Sequence, residues 1–187
     1  TDGEHIHLPQ RVVEYEDRDR NFKWYKVATA HQAGYYEYGT FQFSISSLKQ
    51  RDLGEMPEGL REKVIISQRN DLESYFDIFR DSPLASALFR TLEDGRVDYL
   101  LRSNYRGLKR DMQPIMEQAM THRPRLSEVS PRRAALEMLL RIATLGGIGE
   151  VPERTMETIG RFLEQETGRV FRRDASVFDS AIAAARI

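Results

Sequence analysis

His31-Gln32-Ala33-Gly34-Tyr35 is the first stretch whose residue types and spacing bear on chemistry. In the zinc-binding pattern His-Glu-x-x-His, a helix sets two imidazoles one turn apart on a single face, and the glutamate acts as base. Here His31 holds the first imidazole position, Gln32 stands where the base would be, and Tyr35 stands where the second imidazole would be. A glutamine amide cannot take a proton from water, and a phenol that titrates near ~10 is a poor zinc ligand at neutral pH. The stretch predicts a helix that has lost any metal chemistry, with His31 turned toward the core in an aromatic stripe.

Leu92-Glu93-Asp94-Gly95-Arg96-Val97-Asp98 is the second such stretch. On a helix, Glu93 shares a face with Phe89 and Val97, so its carboxylate needs a buried partner, either His31 or an arginine such as Arg96. Asp94 and Asp98 lie one turn apart on a neighbouring face, where two carboxylates could hold a cation or act as acid and base. Pairing of Asp94 with Arg90 along the helix surface is the plainer expectation. His5 and His7 share one side of an alternating segment, without an evident third ligand. Arg102, Arg106, Lys109 and Arg110 surround Tyr105, but Asp111 and Glu117 dilute the patch, which reads as a solvated helix face. Gly146-Gly147-Ile148-Gly149 lacks the Lys-Ser/Thr of a phosphate loop. With neither a Gly-x-Ser-x-Gly elbow nor a cysteine, covalent acyl transfer has little support.

These residues need elements to position them. The 187 residues are enough for one domain with a substantial core, and 40% hydrophobic with 30% charged is ordinary for a globular chain. A formal net charge of −1 gives no global electrostatic case for nucleic acid or anionic membrane. No apolar run approaches the roughly 18 residues that span a bilayer. The lack of cysteine removes disulfides and thiolate sites and fits a reducing, cytoplasmic setting.

Three- and four-residue spacing of Trp24, Val27, Ala28, His31, Tyr35 and Tyr38 predicts a helix over 17–38, stopped by Gly39. Residues 40–66 read as a long loop with local helix. Further helices are expected over 71–80, from a Ser82 cap and Pro83 to 104, over 108–121 after Gly107, from Ser130-Pro131 to 145, over 153–166 and over 174–186. His5 to Leu8 alternate like a strand, and Asp2-Gly3 before them is a hairpin-turn signal. The expected fold is mainly α, one domain over 1–187 of seven or so helices, with a minor N-terminal β element. The turn with almost nothing before it suggests a fragment of a larger protein.

Taken in order, these motifs resemble a known family. Ile6-x-Leu8-Pro9, Asn21-Phe22-x-x-Tyr25-Lys26-Val27, Ala30-His31-Gln32-Ala33-Gly34, Glu37-Tyr38-Gly39-Thr40-Phe41 and Phe89-x-x-Leu92-Glu93-Asp94-Gly95-Arg96-Val97-Asp98, leading to Tyr105-x-Gly107-Leu108, are similar to the N-terminal helical region of bacterial von Willebrand factor A-domain proteins. The types are those of nitric-oxide-reductase activation (NorD) and rubisco activation (CbbO). The resemblance covers about residues 4–112 and implies a C-terminal von Willebrand factor A domain, whose Asp-x-Ser-x-Ser metal motif is not in this sequence. It also implies work with a MoxR-type AAA+ ATPase to activate or remodel a target enzyme. The helical region further resembles a degenerate metallopeptidase-like scaffold, in which His-Glu-x-x-His is paired with a downstream Glu-Asp-x-Arg.

The expected function is therefore a non-catalytic adaptor: no cofactor, no metal, and partners that are proteins rather than nucleic acid or membrane. His31, Gln32, Tyr35 and Glu93 form the vestigial site, and Glu37, Asp94, Arg96 and Asp98 are candidate interaction residues. A metal-dependent hydrolase using His31, Glu93 and Glu37 is the competing expectation, and a free-standing helical interaction domain is a third. In the vestigial reading, the helix near 18–38 packs against that near 83–103, with His31 and Glu93 in direct or one-water contact.

Overall fold

A computed structural model describes residues 5–51, 53–69, 71–149 and 154–187. Among them the chain is mainly α-helical: α1 (Arg18–Glu37), α2 (Ile45–Lys49), α3 (Glu58–Ile66), α4 (Leu72–Phe76), α5 (Ser82–Asn104), α6 (Arg106–Thr121), α7 (Pro131–Leu145), α8 (Arg154–Val170) and α9 (Val177–Arg186), with 3-10 turns at Thr40–Gln42 and Leu126–Glu128. No helix among the described residues is long and apolar enough to cross a membrane.

The expected strand over 5–8 is not formed, and the described residues contain no strand at all. Alternation alone does not make a strand, because a strand needs a ladder partner, and none of the described residues forms one beside this segment. Asp2-Gly3 lies outside the described residues.

The caps explain where the helices begin. Asp17 accepts from the Asp19 amide at 2.8 Å and opens α1. For α5 the cap is Asp81, one residue before the expected Ser82; its carboxylate accepts from the Leu84 amide at 3.1 Å, and Pro83 sits in the first turn. The break between α5 and α6 falls at Tyr105, which is extended, and Gly107 is already helical. At Gly39 the backbone enters the left-handed region at φ 72°, which ends α1 and turns the chain into the 3-10 segment that carries Thr40 and Phe41.

Helix α5 is the axis of the packing, touching α1, α4, α6, α7, α8 and α9. Its apolar face joins Leu88, Phe89 and Leu92 to a core with Tyr75, Met138, Leu139, Ile142, Val177 and Ala181. A second, smaller core of Val97, Leu101, Met112 and Met116 sits between α1, α5 and α6. Two glycines set the spacing. A Cβ on Gly34 would meet Val97 Cγ1 at 2.6 Å, and one on Gly95 would meet Phe171 Cζ at 2.8 Å and Ala143 Cβ at 2.9 Å. Glycine in a helix interior costs about 1 kcal/mol against alanine, and here it lets α5 approach α1 on one side and α7 on the other.

Candidate functional site

The α1–α5 crossing carries two polar clusters, and the predicted site residues divide between them. In the first, His31 reaches from α1 to α5. Its Nδ1 lies 2.7 Å from Asp98 Oδ1, and its Nε2 lies 2.8 Å from the Tyr35 hydroxyl. That hydroxyl in turn donates to Asp94 Oδ1 at 2.6 Å. The three contacts allow two arrangements of the protons. With the Tyr35 proton given to Asp94, His31 Nε2 must donate to Tyr35 and Nδ1 to Asp98, so the ring is an imidazolium between two carboxylates. The alternative with the same proton count puts the proton on Asp94, which donates to Tyr35, whose own proton then goes to a neutral His31.

Burial lowers the His31 pKa, but the hydrogen bond that it donates to Asp98 and the charges of Asp98 and Asp94 outweigh it, and the net direction is up. Asp94 is pushed up by burial, against the Tyr35 hydrogen bond and the His31 charge. The Tyr35 hydroxyl is pushed far up by burial and by Asp94, so it remains a neutral donor.

The second cluster lies on the adjoining face of α5. Arg96 and Glu93, each about 1% exposed, form a two-pronged ion pair, Nε to Oε2 at 2.8 Å and Nη2 to Oε1 at 2.6 Å. The remaining valences are filled from three other segments. Thr40 donates to Glu93 Oε1, and Ser180 of α9 donates to Oε2 at 2.8 Å. Arg96 donates to the Ala175 and Tyr38 carbonyls, both at 3.0 Å. This pair fastens α5, the end of α1 and the start of α9 to one buried point.

The predicted packing of α1 on α5 is present. The predicted contact of His31 with Glu93 is not among its pairings: His31 takes Asp98 and Tyr35, and Glu93 takes Arg96. A single-pronged contact to an imidazole ring loses to a two-pronged guanidinium three residues along the same helix. Asp94 does not take Arg90 as its partner either, because its side chain turns inward to Tyr35. Glu37 is removed from both clusters and accepts from the Tyr105 hydroxyl at 2.8 Å, tying the end of α1 to the start of α6. Arg102 donates to the Asp98 and Thr144 carbonyls, which takes it out of the basic patch around Tyr105.

Metal ligation requires free lone pairs on convergent side chains. Both His31 nitrogens and both Glu93 oxygens have protein partners, and the two groups face different neighbours. Among the described residues no group of three or more His, Cys, Asp or Glu side chains is arranged to hold a metal ion. The side chains present do not fit a zinc centre.

Sequence reasoning missed Thr40 and Ser180 as members of the site. Ser180 had a signal: it is the polar residue on the buried face that Val177, Ala181 and Ala184 define on α9. Thr40 follows a left-handed glycine, and nothing local points its hydroxyl at Glu93. Comparison with known protein families, with curated proteins and with solved structures returned no match.

Proposed function

We propose that this chain is a non-catalytic adaptor region that works with a MoxR-type AAA+ ATPase to activate or remodel a target enzyme. The observation that carries the reading is the internal saturation of His31 and Glu93. The histidine and the glutamate that a metallopeptidase-like site would use spend their valences on Asp98, Tyr35, Arg96, Thr40 and Ser180. A metal ligand or a general base needs those same lone pairs free to meet the metal or the reacting atoms. The ordered motifs that resemble NorD- and CbbO-type proteins supply the particular role, in which the adaptor contributes recognition and the ATPase contributes work.

The test is co-expression of the tagged chain with a MoxR-type AAA+ ATPase, followed by co-purification and an ATP-hydrolysis assay. Stoichiometric co-purification, or a change in ATPase rate that tracks the amount of added chain, is the expected result. Elemental analysis of the same preparation addresses the hydrolase reading: one zinc per chain, lost with His31→Ala, would overturn the adaptor assignment.

A further inference from the structure

A cavity of about 480 Å³ opens beside the polar crossing, between α1, the 3-10 turn after it, α4 and α5. Phe41, Leu72 and Phe89 give it apolar lining, and Gln32, Tyr35, Thr40, Arg90, Glu93 and Asp94 give it polar lining. Charge accounting beside it does not close. Arg96 cancels Glu93, and the imidazolium of His31 cancels one of Asp94 and Asp98, which leaves one negative charge. With Tyr35 donating to Asp94 the shared proton is on His31 and that charge lies on Asp94, and a cation bound there favours this arrangement over the one with the proton on Asp94. Only Oδ1 of Asp94 is engaged by Tyr35, and Asp94 lines the cavity. Arg90 is exposed on the outer side of α5. Phe41 is 46% exposed and lies against the Tyr36 ring with centroids 4.9 Å apart. Apolar lining from Phe41, Leu72 and Phe89 beside a residual anion on Asp94 complements an extended apolar stem that ends in a cation.

We propose that this cavity receives a lysine or arginine side chain presented by a partner protein, with the cationic tip on Asp94 and the methylene stem between Phe41, Leu72 and Phe89. This rests on the adaptor reading only for the source of the side chain; the receptor chemistry belongs to the cavity itself.

The test titrates the isotope-labelled 187-residue chain with Nα-acetyl-lysine N-methylamide and follows backbone amides by NMR. Shifts confined to residues 32–41 and 89–94 are expected. The Nε-acetyl form of the same probe should bind at least roughly tenfold more weakly, the usual loss when a charged hydrogen bond is removed. Asp94→Asn, whose amide oxygen can still accept from Tyr35, should lose the charged probe by a similar factor, read under conditions where its amide spectrum shows the folded chain. Arg90→Glu should bind it more tightly. Equal binding of charged and acetylated probes, or no response to Asp94→Asn, overturns the proposal. n-Butylamine, which is the lysine side chain alone, should bind about as tightly as the lysine probe, and failure to bind where the probe binds would place recognition on the peptide groups and overturn a side-chain receptor. Co-purification of the ATPase with wild-type chain is scored separately. Its loss alongside intact probe binding would sink the adaptor reading and leave the receptor, and the reverse result would sink the receptor alone.

Discussion

Glu93 and Arg96, three residues apart on α5, meet at 2.6 and 2.8 Å with both side chains about 1% exposed. Removing one partner of such a buried pair leaves an uncompensated charge and costs about 3–5 kcal/mol. Glu93→Ala is expected to lose that much in urea unfolding, and Arg96→Met a similar amount. The double variant Glu93→Leu/Arg96→Met should lose far less than the sum, because no bare charge is left behind. Additive losses would show that the two side chains act independently.

The His31 cluster makes stability depend on pH. His31 has a folded pKa raised above 6.5, so its contribution is fully present below about 6.5 and is lost as pH rises through the folded value. Asp94, raised by burial, has the same sign: the folded state holds its proton more tightly, so stability falls as pH rises above 3.8 through its folded pKa. Unfolding free energy should therefore decline as pH rises above about 6.5, and the decline should flatten in His31→Gln. An unchanged slope in that variant would place the pH dependence elsewhere.

Gly34→Ala pits two effects against each other. Helix propensity favours alanine by about 1 kcal/mol. The new methyl, however, would meet fully buried Val97 Cγ1 at 2.6 Å, and overpacking of this kind costs about 1–3 kcal/mol. The clash should win, lowering the melting temperature, and Val97→Ala in the same chain should recover much of the loss. A more stable single variant would mean that the α1–α5 spacing is slack.

Glu166 of α8 is the opposite case from Glu93. It is fully buried, and Arg186 Nε stands 2.9 Å from Oε2 without hydrogen-bond alignment, so neither carboxylate oxygen has a bonded partner in the protein. Arg186 keeps a second partner, Glu55, at 3.0 Å. Glu166→Met is expected to be neutral or stabilising by about 1–2 kcal/mol in chemical denaturation, since it removes a desolvated charge without stranding Arg186. A loss of several kcal/mol would show that the carboxylate is satisfied by bound water.

Much of the helical order was legible because it is local. Asp17 precedes α1 by one residue, Gly39 ends it, and apolar residues recur along each long helix, so period and punctuation lie within a few positions of one another. The burial of Glu93 was legible for the same reason, from Phe89 and Val97 a turn away on either side. What decides its partners was not. Ser180 is 87 residues distant in the chain and Thr40 is 53, and the carbonyls of Tyr38 and Ala175 carry no side-chain signature. Choice among His31, Arg90 and Arg96 as partners also turned on geometry that spacing leaves open. The N-terminal alternation misled because a strand is a property of two segments, and the pattern of one says nothing of the other.

The notch at Gly34 has a kinetic side. Because α1 rests against α5 backbone to side chain, with no intervening methyl to act as a cushion, the two helices cannot drift apart by degrees. Separation by an ångström or so stretches Nδ1 of His31 from Asp98 and Tyr35 from Asp94 in the same movement. Opening is therefore concerted, and amide hydrogens along residues 26–35 and 93–101 should exchange with solvent as one cooperative unit, with a single opening free energy in place of a gradient fraying inward from the helix ends.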